Sequence, residues 1–260
     1  MGKKLFYTIS LTLLFSGFFI SCDEINEKVL PRATGKSGEL LIVADSVYWN
    51  HQTGEAIKQT FTETQEGLPQ QEALFDIIHL PHRAFAQIFK TNRNIIIVEI
   101  KPNGKNKLTI NSDVWSENQL IVSISAPNDK TAAEMILKNG SALIDYFNDK
   151  ENDRLKLKYS QNAVNPVSKQ IKMQFHVNMK LDELYNIAKR EDDFLWVRKE
   201  KMVKEKIVGE HPVSQGFFIY TYPYTSDSTF SVSSLVEKRN YYTHKYVQGT
   251  GKGTYMLAYD

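Results

Sequence analysis

The chain has 260 residues, and its 32 lysine and arginine residues nearly balance its 30 aspartate and glutamate residues, for a formal net charge of +2. A chain so close to neutrality has no strong basic field, so we expect no nucleic acid partner. Its single cysteine is Cys22. No disulfide within the chain can therefore stabilise the fold, and a hydrophobic core in one large or two small domains must do so.

The first 22 residues have the pattern of a lipoprotein signal. Two lysines precede an uncharged apolar run at 5–20, and Ser21 stands directly before Cys22. The run is shorter than the roughly 20 apolar residues of a transmembrane helix. A positive start, a short apolar segment and a small residue before the cleavage point are typical of a secretory signal. We therefore predict a signal peptide at 1–21 and lipid attachment, for example of palmitate, at Cys22. The alternatives are a plain signal peptide and an uncleaved anchor.

Lipid attachment at Cys22 predicts a membrane partner reached through the N-terminal lipid, and a location in the cell envelope at the outer membrane. The acidic pair Asp23-Glu24 resembles the surface-export signal of Bacteroidota lipoproteins. A solvated tether over 22–37 is the alternative interpretation of the same residues. Both a periplasmic and a surface-facing position therefore stay open.

Beyond the tether, the sequence predicts two subdomains, at 38–150 and 166–260. A polar, charged stretch lies between them and ends at Pro166, as exposed connections often do. Both halves mix strands and helices without strict alternation. This pattern favours the α+β class, with mixed, largely antiparallel sheets and helices packed on one face. The apolar run at 255–259 begins like a strand with no turn after it, which leaves truncation of the C-terminal subdomain open.

Apolar periodicity predicts the elements of the first subdomain. The strands at 107–110 and 119–124 would be antiparallel neighbours after a hairpin turn at 102–104, and the longest helix would be capped by Asn128 or Asp129. In chain order, the elements are a strand at 38–44, a helix at 53–61, a strand at 74–80, a helix at 81–89, strands at 95–100, 107–110 and 119–124, and the long helix.

The same criterion predicts the second subdomain. Alternation at 171–177 indicates a half-buried strand containing His176, and 181–189 indicates a helix with Leu184 and Ile187 inward. The remaining elements are a strand at 194–197, a charged excursion at 199–206, a strand at 216–222 and a helix at 230–242.

Two groups of residues are candidates for ligand binding. Tyr220, Tyr222 and Tyr224 would share one face of a strand and could stack on a glycan or contact a protein partner. The alternative is that they pack beneath the helix at 230–242. Arg93 stands directly before a buried strand, where it could bind an anion or a carboxylate. Its alternative role is a structural salt bridge.

Catalytic motifs are weak. His79 and His82 could act with Asp76 as partial metal ligands or as acid–base groups, but the spacing is not that of a known zinc motif. The glycine-rich segment at 249–254 lacks the strand and helix that a phosphate-binding loop needs, so we predict a turn. We predict no catalytic residue, metal or cofactor, and whether the protein is an enzyme stays open.

Several segments resemble an uncharacterised family of Bacteroidota lipoproteins, the domain of unknown function 4837. They are the lead-in and first strand at 30–43, Trp49, the residues around 67–76 and Arg93-Asn94-Ile95. The resemblance would run from Leu30 to the C-terminus, and it implies export and lipidation but no activity. We therefore predict a lipid-anchored envelope protein that acts as a non-catalytic binding or assembly factor. The alternative is an envelope hydrolase with a site between the subdomains.

Overall fold

The computed structural model describes residues 29–65, 71–160, 165–205 and 209–256. The predicted signal peptide, Cys22 and the end of the apolar run at 255–259 lie outside these ranges. Among the described residues the chain forms a five-stranded mixed sheet followed by a three-stranded antiparallel sheet, with helices against both. The predicted α+β class is confirmed.

The five-stranded sheet is the core of the N-terminal half. Its strands are β1 (Glu39–Val43), β2 (Asp76–Leu80), β3 (Asn94–Ile100), β4 (Lys107–Ser112) and β5 (Leu120–Ala126). They lie in the order β2-β1-β3-β5-β4. The pairing of β4 with β5 is antiparallel, as predicted, whereas the other three pairings are parallel. The turn at 102–104 therefore joins strands that are not hydrogen-bonded neighbours, because β5 lies between β3 and β4.

Two long helices cover one face of this sheet, and short helices lie along the chain between its strands. The helices are α1 (Ser46–Trp49), α2 (Gln52–Phe61), α3 (Gln87–Lys90) and α4 (Asp129–Ser160). The side-chain oxygen of Asn128 accepts a hydrogen bond from the backbone N–H of Thr131, which caps α4 as predicted. The carboxylate of Asp129 instead accepts the backbone N–H groups of Gln52 and Thr53, and so caps α2. The two helices are thus fixed together at their N-termini.

The opposite face of the sheet is covered by the segment after β2. The predicted helix at 81–89 is wrong: His82–Ala84 forms a 3-10 turn, and α3 follows separately. Phe85 and Phe89 pack with Trp115 over this face, whereas Ile88 is exposed. Burial on both faces explains why the central parallel strands are unbroken apolar runs.

The second half begins with α5 (Pro166–Phe175), then β6 (Asn186–Glu191), β7 (Phe194–Glu205), β8 (Gly209–Tyr220) and α6 (Val232–Tyr246). The predicted strand at 171–177 is a helix, and His176 is its exposed C-cap residue in the left-handed conformation, with φ of 57°. The predicted helix at 181–189 is a loop and the strand β6. The predicted charged excursion at 199–206 continues β7 to Glu205 in antiparallel pairing with β8. Of the two sheets in the described residues, therefore, only the three-stranded one is wholly antiparallel.

Candidate functional site

The most extensive charged network of the N-terminal half joins α4 to the start of β3. The carboxylate of Glu151 accepts a hydrogen bond from Arg93 Nη1 at 2.9 Å and one from Arg154 Nη1 at 2.7 Å. Ser37 Oγ and the amide of Asn94 donate to the same carboxylate at 3.0 and 2.9 Å. Each carboxylate oxygen of Glu151 thus accepts two hydrogen bonds, and the carboxylate is shared by two guanidinium groups.

Arg154 uses its donors to fix the protein itself. Its Nε donates to the carbonyl of Asn118, its Nη1 also donates to Asn94 Oδ1, and its Nη2 donates to the carbonyl of Arg93. Burial is the main reason that the pKa of Arg154 lies below its ordinary value, and the positive charge of Arg93 lowers it further, against the opposing effect of Glu151. Arg154 is therefore a structural cation that ties α4 to β3.

Arg93 differs from Arg154, because most of its donors are unused. Among the described residues, the only hydrogen-bond partner of its guanidinium is Glu151, which accepts from Nη1, and its Nε is buried without a hydrogen-bond acceptor. The side chain keeps 21% of its surface exposed. The predicted alternative, a salt bridge, is thus present, and the guanidinium still has N–H groups for another acceptor.

These residues lie on a cleft of about 610 Å³. This volume is within the range of small-molecule sites. Four cationic side chains and two carboxylates line it, an excess of two positive charges, together with small, amide and apolar residues. The lining consists of Arg32, Ala33, Ser37, Arg93, Glu117, Asn118, Glu151, Arg154, Leu155, Leu157 and Lys158.

Two family models match the chain on either side of the end of α4. Residues 33–160 match the family described as Domain of unknown function (DUF8532), and residues 165–259 match Domain of unknown function (DUF4837). The predicted resemblance to domain 4837 is thus confirmed for the C-terminal part. The residues at 30–95 on which the prediction was based match the other family model, from residue 33 onward. No curated protein and no solved structure matches the chain.

The tyrosines predicted to share a strand face have different surroundings. The strand β8 ends at Tyr220, whose ring stacks on Tyr242 of α6 with centroids 4.4 Å apart, and Tyr222 stacks on Tyr220 at 6.1 Å. Tyr224 is exposed, stacks on Phe230 and donates from its hydroxyl to Asp227. Contact with α6 is the arrangement expected for Tyr220 and Tyr222 in the packing alternative, and of the three only Tyr224 is largely exposed.

The imidazole ring of each candidate histidine lies within hydrogen-bonding distance of a backbone carbonyl. His79 Nε2 lies 2.9 Å from the carbonyl of Ala44, and its ring stacks on Trp49. His82 Nε2 lies 2.9 Å from the carbonyl of Val98. Among the described residues, no group of three or more histidine, cysteine or acidic side chains could hold a metal ion. The segment at 249–254 is a closed turn, with the N–H of Gly249 donating to the carbonyl of Thr254.

The sequence identified Arg93 but missed Glu151 and Arg154. Both lie in the stretch 148–165, interpreted as a connection because it is charged, whereas α4 continues through it to Ser160. One signal was available. Glu151 and Arg154 follow the buried Phe147 at the fourth and seventh positions, which is the same helical face.

None of the helices in the described part of the chain combines the length and apolar character needed to cross a bilayer.

Proposed function

We propose that the protein is a non-catalytic binding protein of the cell envelope, held at a membrane by lipid on Cys22, with the cleft between α4 and the start of β3 as its ligand site. The attachment is supported by the apolar run at 5–20 followed by Ser21-Cys22. The family matches are consistent with this proposal but name no activity.

The observation that carries the binding role is the saturation of Glu151. A general base needs a free lone pair within reach of the proton that it removes. Glu151 accepts four hydrogen bonds from the protein, so its carboxylate is held as a structural anion. The cleft therefore offers fixed charges and hydrogen-bond donors, which suit binding better than proton transfer.

The attachment is tested by growing cells with labelled palmitate and fractionating them. The parent chain should carry the label and remain with the membranes. Cys22→Ala should lose both, and Asp23→Asn, which keeps the thiol, should retain both. Unchanged label and membrane association in Cys22→Ala would overturn the anchor.

The binding role is tested by native mass spectrometry of the protein extracted gently from its own membranes. We expect an adduct of constant mass on the parent chain, absent from Arg93→Gln. Arg198→Gln is a matched control, because Arg198 is an exposed arginine paired with Glu200 in the other half of the chain. An adduct that is equally abundant in all three chains would place the ligand elsewhere, and its absence from the parent would contradict the binding role.

A further inference from the structure

We infer that the cleft binds a small molecule through a doubly charged oxyanion of the phosphate type, with Arg93 as the main donor and with Arg32 and Lys158 flanking it. This inference deepens the proposed function, on which it rests, by naming the chemistry of the ligand.

The first argument is charge. Within the network at the cleft, Arg93 and Arg154 share the single negative charge of Glu151, which leaves one positive charge in excess. Glu117 is the other lining carboxylate, and Arg32 and Lys158 are the other lining cations. Neither of these two cations takes part in an ion pair among the residues that the structure describes. A concave site with an excess of two positive charges attracts a dianion.

The second argument is the geometry of the donors. Arginine presents a rigid fork of N–H groups that suits phosphate and carboxylate oxygens, and lysine adds a compact charge. Glu151 holds the guanidinium of Arg93 in place through Nη1, and other N–H groups of this guanidinium stay unused within the described part of the chain. Arg154 fixes the backbone of the same residue, because its Nη2 donates to the carbonyl of Arg93. A donor that is already fixed loses little conformational entropy when an anion binds.

The remaining lining indicates a ligand larger than the anion alone. Leu155 and Leu157 provide apolar surface, and both are nearly half exposed. At the same cleft the carboxylate of Glu117 can accept hydrogen bonds, and the side-chain amide of Asn118 can accept and donate them. The cleft volume of about 610 Å³ also exceeds the need of one phosphate group.

The test is isothermal titration of the purified full-length chain with inorganic phosphate at about pH 8, where phosphate is mostly a dianion, with sodium chloride keeping the ionic strength constant. We expect saturable binding by the parent, with affinity weakened about tenfold or more in Arg93→Gln, because a charge-assisted bond is lost. Arg32→Gln and Lys158→Gln should each weaken it about threefold or more. Arg198→Gln should bind as the parent does.

Thermal unfolding shows whether each variant is folded. If Arg93→Gln does not fold, the exposed positions Arg32 and Lys158 decide the test, since their substitution leaves the network around Glu151 intact. No saturable binding by the parent, or parental affinity in every folded cleft variant, would overturn the inference. A native adduct that depends on Arg93 without any phosphate binding would reject the oxyanion but keep the binding role. Loss of both would reject both.

Discussion

Gly140 of α4 lies directly against Thr60 of α2: a Cβ added at Gly140 would be 2.6 Å from Thr60 Cγ2. This separation is far below a normal van der Waals contact, and a β-branched side chain within a helix has few alternative rotamers. The absence of a side chain at Gly140 therefore sets how closely the two helices approach.

Gly140→Ala should destabilise the protein by about 1–3 kcal/mol through overpacking, although alanine is the better helix former. In a Thr60→Ala background the obstructing methyl group is gone, and the same substitution should gain about 0.5–1 kcal/mol. Urea unfolding of the four chains measures both values. Equal effects of Gly140→Ala in the two backgrounds would show that this contact does not limit helix packing.

Glu151→Gln should cost about 3–5 kcal/mol in the free energy of unfolding, because the charge that holds two partly buried guanidinium groups is removed. Its side chain is 12% exposed, and those of Arg93 and Arg154 are 21% and 10% exposed. Glu200→Gln is the control: this carboxylate is 62% exposed beside Arg198, and its loss should change stability by less than about 0.5 kcal/mol. Equal losses in the two variants would contradict a structural role for Glu151.

Substitutions in the aromatic cluster of the second half can show which of its tyrosines stabilise the fold and which are available for ligand contact. Tyr242 is buried, contacts Phe194 and Tyr220, and donates its hydroxyl to the carbonyl of Thr221 at 2.7 Å. Tyr242→Phe should cost about 1 kcal/mol for the lost hydrogen bond, and Tyr242→Ala about 3–5 kcal/mol.

Tyr224→Ala should change stability by less than about 0.5 kcal/mol, because this side chain is 61% exposed. Thermal or urea unfolding checks the contrast with Tyr242. A stability loss at Tyr224 similar to that at Tyr242 would mean that its exposed ring is part of the fold, which would remove it as a candidate for ligand contact.

Apart from the segment at 81–89, most elements of the first half could be predicted, because each carries a clear apolar pattern. The strands β1, β3 and β5 are buried apolar runs, and α2 buries Ala56, Ile57 and Phe61 along one helical face. Only the pairing of β4 with β5 could be deduced. The full strand order, with β5 between β3 and β4, depends on contacts between distant segments.

The second half shows where periodicity is ambiguous. Residues Ile171, Met173 and Phe175 alternate as in a strand, but Val167, Ile171 and Phe175 are also spaced by four, as on a helix face. The deciding signal was Asn165-Pro166, an N-cap followed by proline in the first turn. Glu151 and Arg154 were missed for a similar reason, since the many charged residues around Glu151 concealed its helical spacing from Phe147.

Asn165→Ala tests the importance of that cap. The side chain accepts the backbone N–H of Val167 at 2.7 Å, and its amide donates to the carbonyls of Asp182 and Tyr185. Because the residue is buried and all three bonds are lost, we expect a loss of about 2 kcal/mol or more in stability. Asn165→Asp keeps the cap but not the amide donors, so it should retain part of this stability. Equal stability of Asn165→Ala and the parent would show that α5 does not need its cap.

The ion pair of Asp182 with Lys199 gives the second half a pH dependence. Burial raises the pKa of Asp182. The hydrogen bonds from Lys199 and from the backbone N–H of Leu184, together with the charge of Lys199, lower this pKa by a larger amount, so that the net shift is downward. The hydrogen bond to Asp182 raises the pKa of Lys199. A carboxylate with a depressed folded pKa stabilises the fold above its unfolded value near 3.8 and loses that effect as the pH falls through the folded value. An amine with a raised pKa stabilises below its unfolded value near 10.5 and loses that effect as the pH rises through the folded value.

Asp182→Asn should therefore cost about 1 kcal/mol near neutral pH, and this difference from the parent should shrink below about pH 4 as Asp182 of the parent becomes protonated. Urea unfolding of both chains at several pH values measures the difference. Glu99→Gln is the control, because its pair with Lys101 is exposed and should contribute little at any pH. A difference between Asp182→Asn and the parent that stays constant down to about pH 2 would show that the stabilisation does not come from the charge of this carboxylate.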